Sequence, residues 1–179
     1  LDAGHTGLRP AAPVAPPAGS PAAADAVGGA VLISQPVPAD EPFAVVVQLK
    51  PGRPADDLIV QVFVSAAEDF SPDKATSSNE LVWLLQGSRQ KVVAGDRMEV
   101  DAPRPDAAGK PDGKGDPLVV RLVVGKQLAV VSTGAQRLWA GPSGLAAKPR
   151  TVGVRYIRLD GTKPAGDPPV VQSIRVLKR

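Results

Sequence analysis

Residues Pro117–Leu159 read PLVVRLVVGKQLAVVSTGAQRLWAGPSGLAAKPRTVGVRYIRL, and their pattern decides the fold class. Three strand-like runs are separated by Gly-Lys, by Thr-Gly and by a Gly-Pro-Ser-Gly loop. In the first, Leu118, Val120, Leu122 and Val124 share one face, and Arg121 marks the other face as wetted. Gly125-Lys126 predicts a two-residue hairpin of type II′, with glycine supplying the positive φ, after which Leu128–Val131 returns antiparallel. Arg150–Leu159 places Val152, Val154 and Tyr156 on one face and then Ile157 and Leu159 on the other. That change of phase predicts a bulge or a switch of sheet near Arg155–Ile157.

The same alternation extends outward in both directions. Ala30–Gln35, Phe43–Lys50, Leu58–Ser65, Glu80–Gln86, Gln90–Ala94, Arg97–Val100 and Val170–Leu177 all read as short strands, and helix is limited to one turn at Ala66–Phe70. Hydrophobic residues make up 43% of the 179-residue chain but aromatics only 3%, so the core must be built from Val, Leu, Ile and Ala. Twenty Pro and 18 Gly favour many turns over long helices. The expectation is an all-β chain: an antiparallel β-sandwich of about nine strands over residues 30–179, with Asp101–Asp116 (DAPRPDAAGKPDGKGD) as a surface loop insert.

Leu1–Gly29 is different in kind, a Pro/Ala-rich segment without periodicity that is expected to be an extended arm. Pro10, Pro13, Pro16 and Pro17 fix φ and lower the entropy lost on docking, so the arm is expected to dock onto another protein chain. The start at Leu1 rather than Met suggests a removed signal peptide. Periplasmic or extracellular placement in a bacterial cell envelope is the corresponding expectation.

Composition also excludes chemistry. The chain has no Cys, which removes disulfides and thiolate metal sites. His5 is its one histidine and sits in the arm, which argues against a Ser–His–Asp triad. The carboxylate pairs Asp56/Asp57, Glu68/Asp69 and Glu99/Asp101 read as solvated turn or strand-end charges rather than a glycosidase pair. Asp101, Asp106, Asp112 and Asp116 do not match a calcium loop, and Lys110 and Lys114 compete for them. No phosphate-binding glycine loop is present. The net charge of +3 is no nucleic-acid signature, and no apolar run is long enough to span a membrane. The chain is therefore read as a non-enzyme without cofactor or metal and without nucleic-acid partners.

The strand order resembles a concanavalin A-like or laminin-G-like β-sandwich. Phe43–Val64 is similar to the opening strand pair of such domains, Glu80–Gly95 (ELVWLLQGSRQKVVAG) to their next hairpin, Val119–Thr133 to a later pair, and Gly141–Leu145 with Val152–Leu159 to their closing turn and strands. The resemblance implies a jelly roll over about residues 42–177, from which the 101–116 insert and the strand after Gly161 depart. It transfers no catalytic residue, because no outward-facing carboxylate pair can be placed. Trp83, in a run apolar on both faces, reads as core. The candidate contacts for a ligand or partner are Trp139, ahead of a Gly-Pro loop, Tyr156, and the basic residues Arg155, Arg158 and Arg175. Arg155 and Arg175 are expected to point outward on neighbouring strands as a positive stripe. Two functions fit: a non-catalytic structural or accessory subunit docked into an assembly through its arm and sandwich surface, and, as the alternative, a carbohydrate-binding module.

Overall fold

The computed structural model describes residues 27–32, 37–38, 41–50, 58–66, 79–104, 117–158 and 169–178. Val-rich alternation folds these segments into eleven strands: β1 (Val27–Leu32), β2 (Phe43–Lys50), β3 (Leu58–Ala66), β4 (Glu80–Gln86), β5 (Arg89–Ala94), β6 (Arg97–Pro103), β7 (Leu118–Val124), β8 (Leu128–Thr133), β9 (Gln136–Pro142), β10 (Arg150–Arg158) and β11 (Val170–Lys178). They form a six-stranded sheet in the order β1-β10-β3-β4-β5-β6 and a five-stranded sheet in the order β11-β2-β7-β8-β9. Every pairing is antiparallel. The result is the antiparallel sandwich that the alternation predicts.

Between the sheets lies an almost wholly aliphatic core. Phe43, Val45, Val47 and Leu49 of β2 and Val120, Leu122 and Val124 of β7 face Val60, Val62 and Val64 of β3 and Leu81, Trp83 and Leu85 of β4. A buried polar group on β5 reaches across the gap. Gln90 on β5 accepts hydrogen bonds from Trp83 Nε1 (3.3 Å) and from Thr133 Oγ1 on β8 (3.2 Å), and its Nε2 donates to the Pro103 carbonyl (3.1 Å). A buried amide with its donors and acceptors matched fixes how the two sheets sit on each other.

Three hairpins turn on two residues, Gly87-Ser88, Gly95-Asp96 and Gly134-Ala135, and in each the glycine holds a positive φ of 54–63°. The turn at Gly125 departs from this expected form. Its loop has three residues, Gly125–Gln127, and Gly125 is not among the positive-φ glycines. Gly125 N–H donates to the Leu128 carbonyl at 2.8 Å, and a Cβ there would stand 3.1 Å from that oxygen, so close approach is the reason for glycine.

Other expectations are corrected by the strand map. β1 begins at Val27, inside the stretch read as the arm, because Val27–Gly29 pair with Tyr156–Arg158 of β10. β6 runs through Asp101–Pro103, so the start of the expected insert is strand. No bulge interrupts β10, whose nine residues pair with β3 in unbroken register. Ile157 lies opposite in phase to Tyr156, yet is only 2% exposed, because both faces of this strand are buried. β9 was not expected at all. It is an edge strand, where Pro142 costs no ladder hydrogen bond.

Candidate functional site

Each sheet has a second face, turned away from the common core, and the two differ in what they hold. On the six-stranded sheet this face carries Gln61, Phe63 and Ser65 of β3, Glu80, Val82 and Leu84 of β4, and Gly153, Arg155 and Ile157 of β10, by alternation with the core residues on the same strands. Gln61 lies directly across from Arg155. Arg155 Nε donates to Gln61 Oε1 at 2.7 Å. Its guanidinium then crosses the Phe63 ring, 4.8 Å from the centroid, and meets Glu80 with both terminal nitrogens, at 3.3 Å to Oε1 and 2.8 Å to Oε2. Arg155 is 0% and Glu80 1% exposed. The fork geometry of guanidinium and carboxylate, with the ring beneath, is what permits two charges to stay buried. Phe63, Val82 and Leu84 surround them as a small second core.

This arrangement corrects the expected stripe. Arg155 does not point to solvent, and Arg175 is in the other sheet. Alternation placed Arg155 correctly on the face away from the core, but that face is dry here. Tyr156 is likewise no surface contact. Its ring lies in the main core, and its hydroxyl donates to the Pro169 carbonyl at 2.7 Å, joining β10 to the start of β11. Burial pushes the phenol well above its ordinary range, and a backbone hydrogen bond from Val171 opposes that rise. Trp139 is half-buried and packs against the rim of the core. Its indole lies along its own strand over Gly141, where a Cβ would come within 2.5 Å of Cζ2. Arg158 ends β10 opposite Val27 and Leu58, and its side chain, like Pro10, Pro13, Pro16 and Pro17 of the arm, lies outside the described residues.

The outward face of the five-stranded sheet is the open one. Arg175 (β11), Val46 (β2), Arg121 (β7), Ser132 (β8) and Arg137 (β9) form one continuous cross-strand row by register. All three arginines are exposed. Arg137 escaped the sequence reading because β9 did. The signal that could have found it was Thr133-Gly134-Ala135-Gln136, a glycine hairpin turn followed by Arg137 in phase with Ser132. Of the carboxylates considered earlier, Asp101 is held by Arg89 Nε at 2.6 Å and approached by Lys91 Nζ at 3.7 Å, and Glu99 is exposed on β6. Asp56, Asp57, Glu68 and Asp69 lie outside the described residues, as do Asp106, Asp112 and Asp116. Among the described residues no three of His, Cys, Asp and Glu come together.

No protein-family model matches the chain, and no curated protein matches it in sequence. Its architecture does match solved structures. The carbohydrate recognition domain of Emp47p superimposes with a TM-score of 0.63 at 10% identity, over 86% of this chain and 79% of that one. The metal-free carbohydrate recognition domain of Emp46p gives 0.60 at 10% identity, over 86% and 78%. Bacillus licheniformis β-glucanase gives 0.51 at 10% identity, over 86% and 71%. The fold is the concanavalin-like jelly roll. At 10% identity the likeness gives the fold alone, and what the fold does here rests on its side chains.

Proposed function

We propose that this domain binds carbohydrate and does not cleave it. The observation that carries the reading is the state of Glu80, within a fold shared with carbohydrate recognition domains. Hydrolysis of a glycosidic bond uses two carboxyl groups about 5–10 Å apart, one giving a proton and one acting as base or nucleophile. Glu80 is the single acidic residue in β1, β10, β3, β4 and β5, and of the two on β6, Glu99 and Asp101, the latter is held by Arg89. Both of its oxygens accept from Arg155, at 1% exposure. A carboxylate so engaged is placed for structure and not for proton transfer to a sugar.

The fold likeness favours this module over the assembly-subunit reading, which rests on the arm and the sandwich surface. An extracellular or cell-envelope location belongs to the same proposal, since polysaccharide is met there. The test is to incubate the full chain with a panel of soluble polysaccharides, following retention in affinity electrophoresis and release of reducing ends together. Retention by at least one polysaccharide without release is expected. Release of reducing ends that survives Glu80→Gln would identify an enzyme working elsewhere on the surface, and the reading would be abandoned.

A further inference from the structure

We propose that the outward face of the five-stranded sheet is the binding surface, and that its ligand is an acidic polysaccharide of the polyuronate class, laid across the strands. The proposal rests on the carbohydrate-binding reading and specifies its substrate.

The five strands of this sheet contain Lys50, Arg121, Arg137, Arg175 and Lys178 and not one Asp or Glu. Lys178 is matched by Glu41 at 3.1 Å. No carboxylate among the described residues pairs with Arg121 or Arg137. The arginines occupy alternate strands of the row Arg175–Val46–Arg121–Ser132–Arg137. Strands lie about 4.8 Å apart, so neighbouring arginine positions repeat at about 10 Å and the row spans about 19 Å. A guanidinium presents a planar fork that takes a carboxylate through two parallel hydrogen bonds. Arg121 and Arg137 set two such forks about 10 Å apart, which suits a polymer with carboxylates at a regular pitch.

The rows on either side complete a sugar-shaped surface. Farther along the strands from the arginines, Leu177, Ala44, Val123, Val130 and Ala140 stand in register as an apolar row, with Leu177 exposed at one end and Ala44 buried beside it. The C–H face of a pyranose ring can rest on Val123, Val130 and Ala140, where the side chains are short and leave the ring close to the sheet. In the opposite direction Ser173 and Gln48 supply hydroxyl and amide groups, with Ser173 Oγ donating to Gln48 Oε1 at 3.0 Å. Apolar shelf, carboxylate forks and hydroxyl partners therefore follow one another across a single face. An acidic peptide would meet the same charges but would make no use of a flat shelf flanked by hydroxyl-binding groups.

The experiment is calorimetric titration of the full chain with oligogalacturonate, its methyl ester, a neutral glucan oligosaccharide and poly-glutamate. The variants are Arg121→Gln, Arg137→Gln, the double variant and Arg121→Lys, each checked for unchanged melting. Oligogalacturonate is expected to bind best. Each glutamine variant should lose about tenfold in affinity, the value of one charge-assisted contact. Arg121→Lys should recover part of that loss, since it keeps the charge without the fork. If the ester or the glucan binds as well as the acid and ignores the variants, the acidic preference is overturned while carbohydrate binding survives. If poly-glutamate binds as tightly as oligogalacturonate, the surface is a peptide site and the proposal fails. If no saccharide binds at all, it falls together with the reading on which it rests.

Discussion

Arg155 on the six-stranded sheet and Arg121 on the five-stranded sheet both stand mid-strand on a face turned away from the core. One is 0% exposed and locked to a carboxylate, and the other is exposed in a row of like charges. In the first case the charge is matched within the fold, by Glu80, Gln61 and the Phe63 ring. In the second the nearest charged neighbours in the row repeat its own sign. A buried matched pair specifies structure, and its removal is felt as lost stability. Exposed arginines that no carboxylate of the described residues meets, as at Arg121 and Arg137, contribute little to stability and leave their electrostatic attraction for something outside the chain.

The hardest test of this contrast removes one member of the buried pair. Glu80→Ala removes the carboxylate from a fully buried guanidinium and should cost about 3–5 kcal/mol in urea denaturation. Replacing both partners, as in Glu80→Leu with Arg155→Met, should recover most of the loss. A single-variant cost as small as that of a surface change would mean that this face is wet and the contrast false.

Next in size is Gln90→Leu, which leaves Trp83 Nε1–H and the Thr133 hydroxyl without their acceptor. A loss of about 1–3 kcal/mol is expected, read from the urea midpoint. Tyr156 adds a pH dependence peculiar to the buried side. Its folded pKa is raised from the ordinary 10.0. The folded state therefore holds the phenolic proton more tightly than the unfolded state, and stability should fall as pH rises beyond that ordinary value. Tyr156→Phe should cost about 1 kcal/mol at neutral pH and flatten the alkaline fall. The smallest effect belongs to the open sheet. Arg121→Gln should change stability by less than about 0.5 kcal/mol, and a larger change would place that side chain within the fold's own bonding.

Much of the sandwich was legible because alternation in β2, β3 and β7 is strong and each of these strands keeps an unbroken apolar face. β9 was not legible. Arg137, Gly141 and Pro142 break its pattern, and its place is set by pairing with β8, a tertiary fact. The misplacement of Arg155 has a similar cause. Period-two reasoning identifies which face a residue is on, but whether the second face meets water depends on the rest of the fold. A clue was present in β4, apolar on both faces, and in Gln61 and Phe63 alternating with the core valines of β3. The partner of Arg155 sits 75 residues away in sequence, beyond the reach of any local pattern. The exposed row was half visible, since Arg121 and Arg175 read as outward from their own strands.

The Tyr156–Pro169 bond also bears on how the domain would carry a load. It sets the end of β10 beside the start of β11, and β1 begins at that same pole, where Val27 pairs with Arg158. β11 runs from there to the opposite pole, where Lys178 pairs with Phe43. Tension drawn through β1 and β11 would therefore run parallel to the strands. It would shear the β1–β10 and β11–β2 ladders lengthwise, so that many hydrogen bonds resist at once instead of opening one after another like a zip. A sandwich strung in this way would hold the face that carries Arg121 and Arg137 steady while β1 and β11 are pulled.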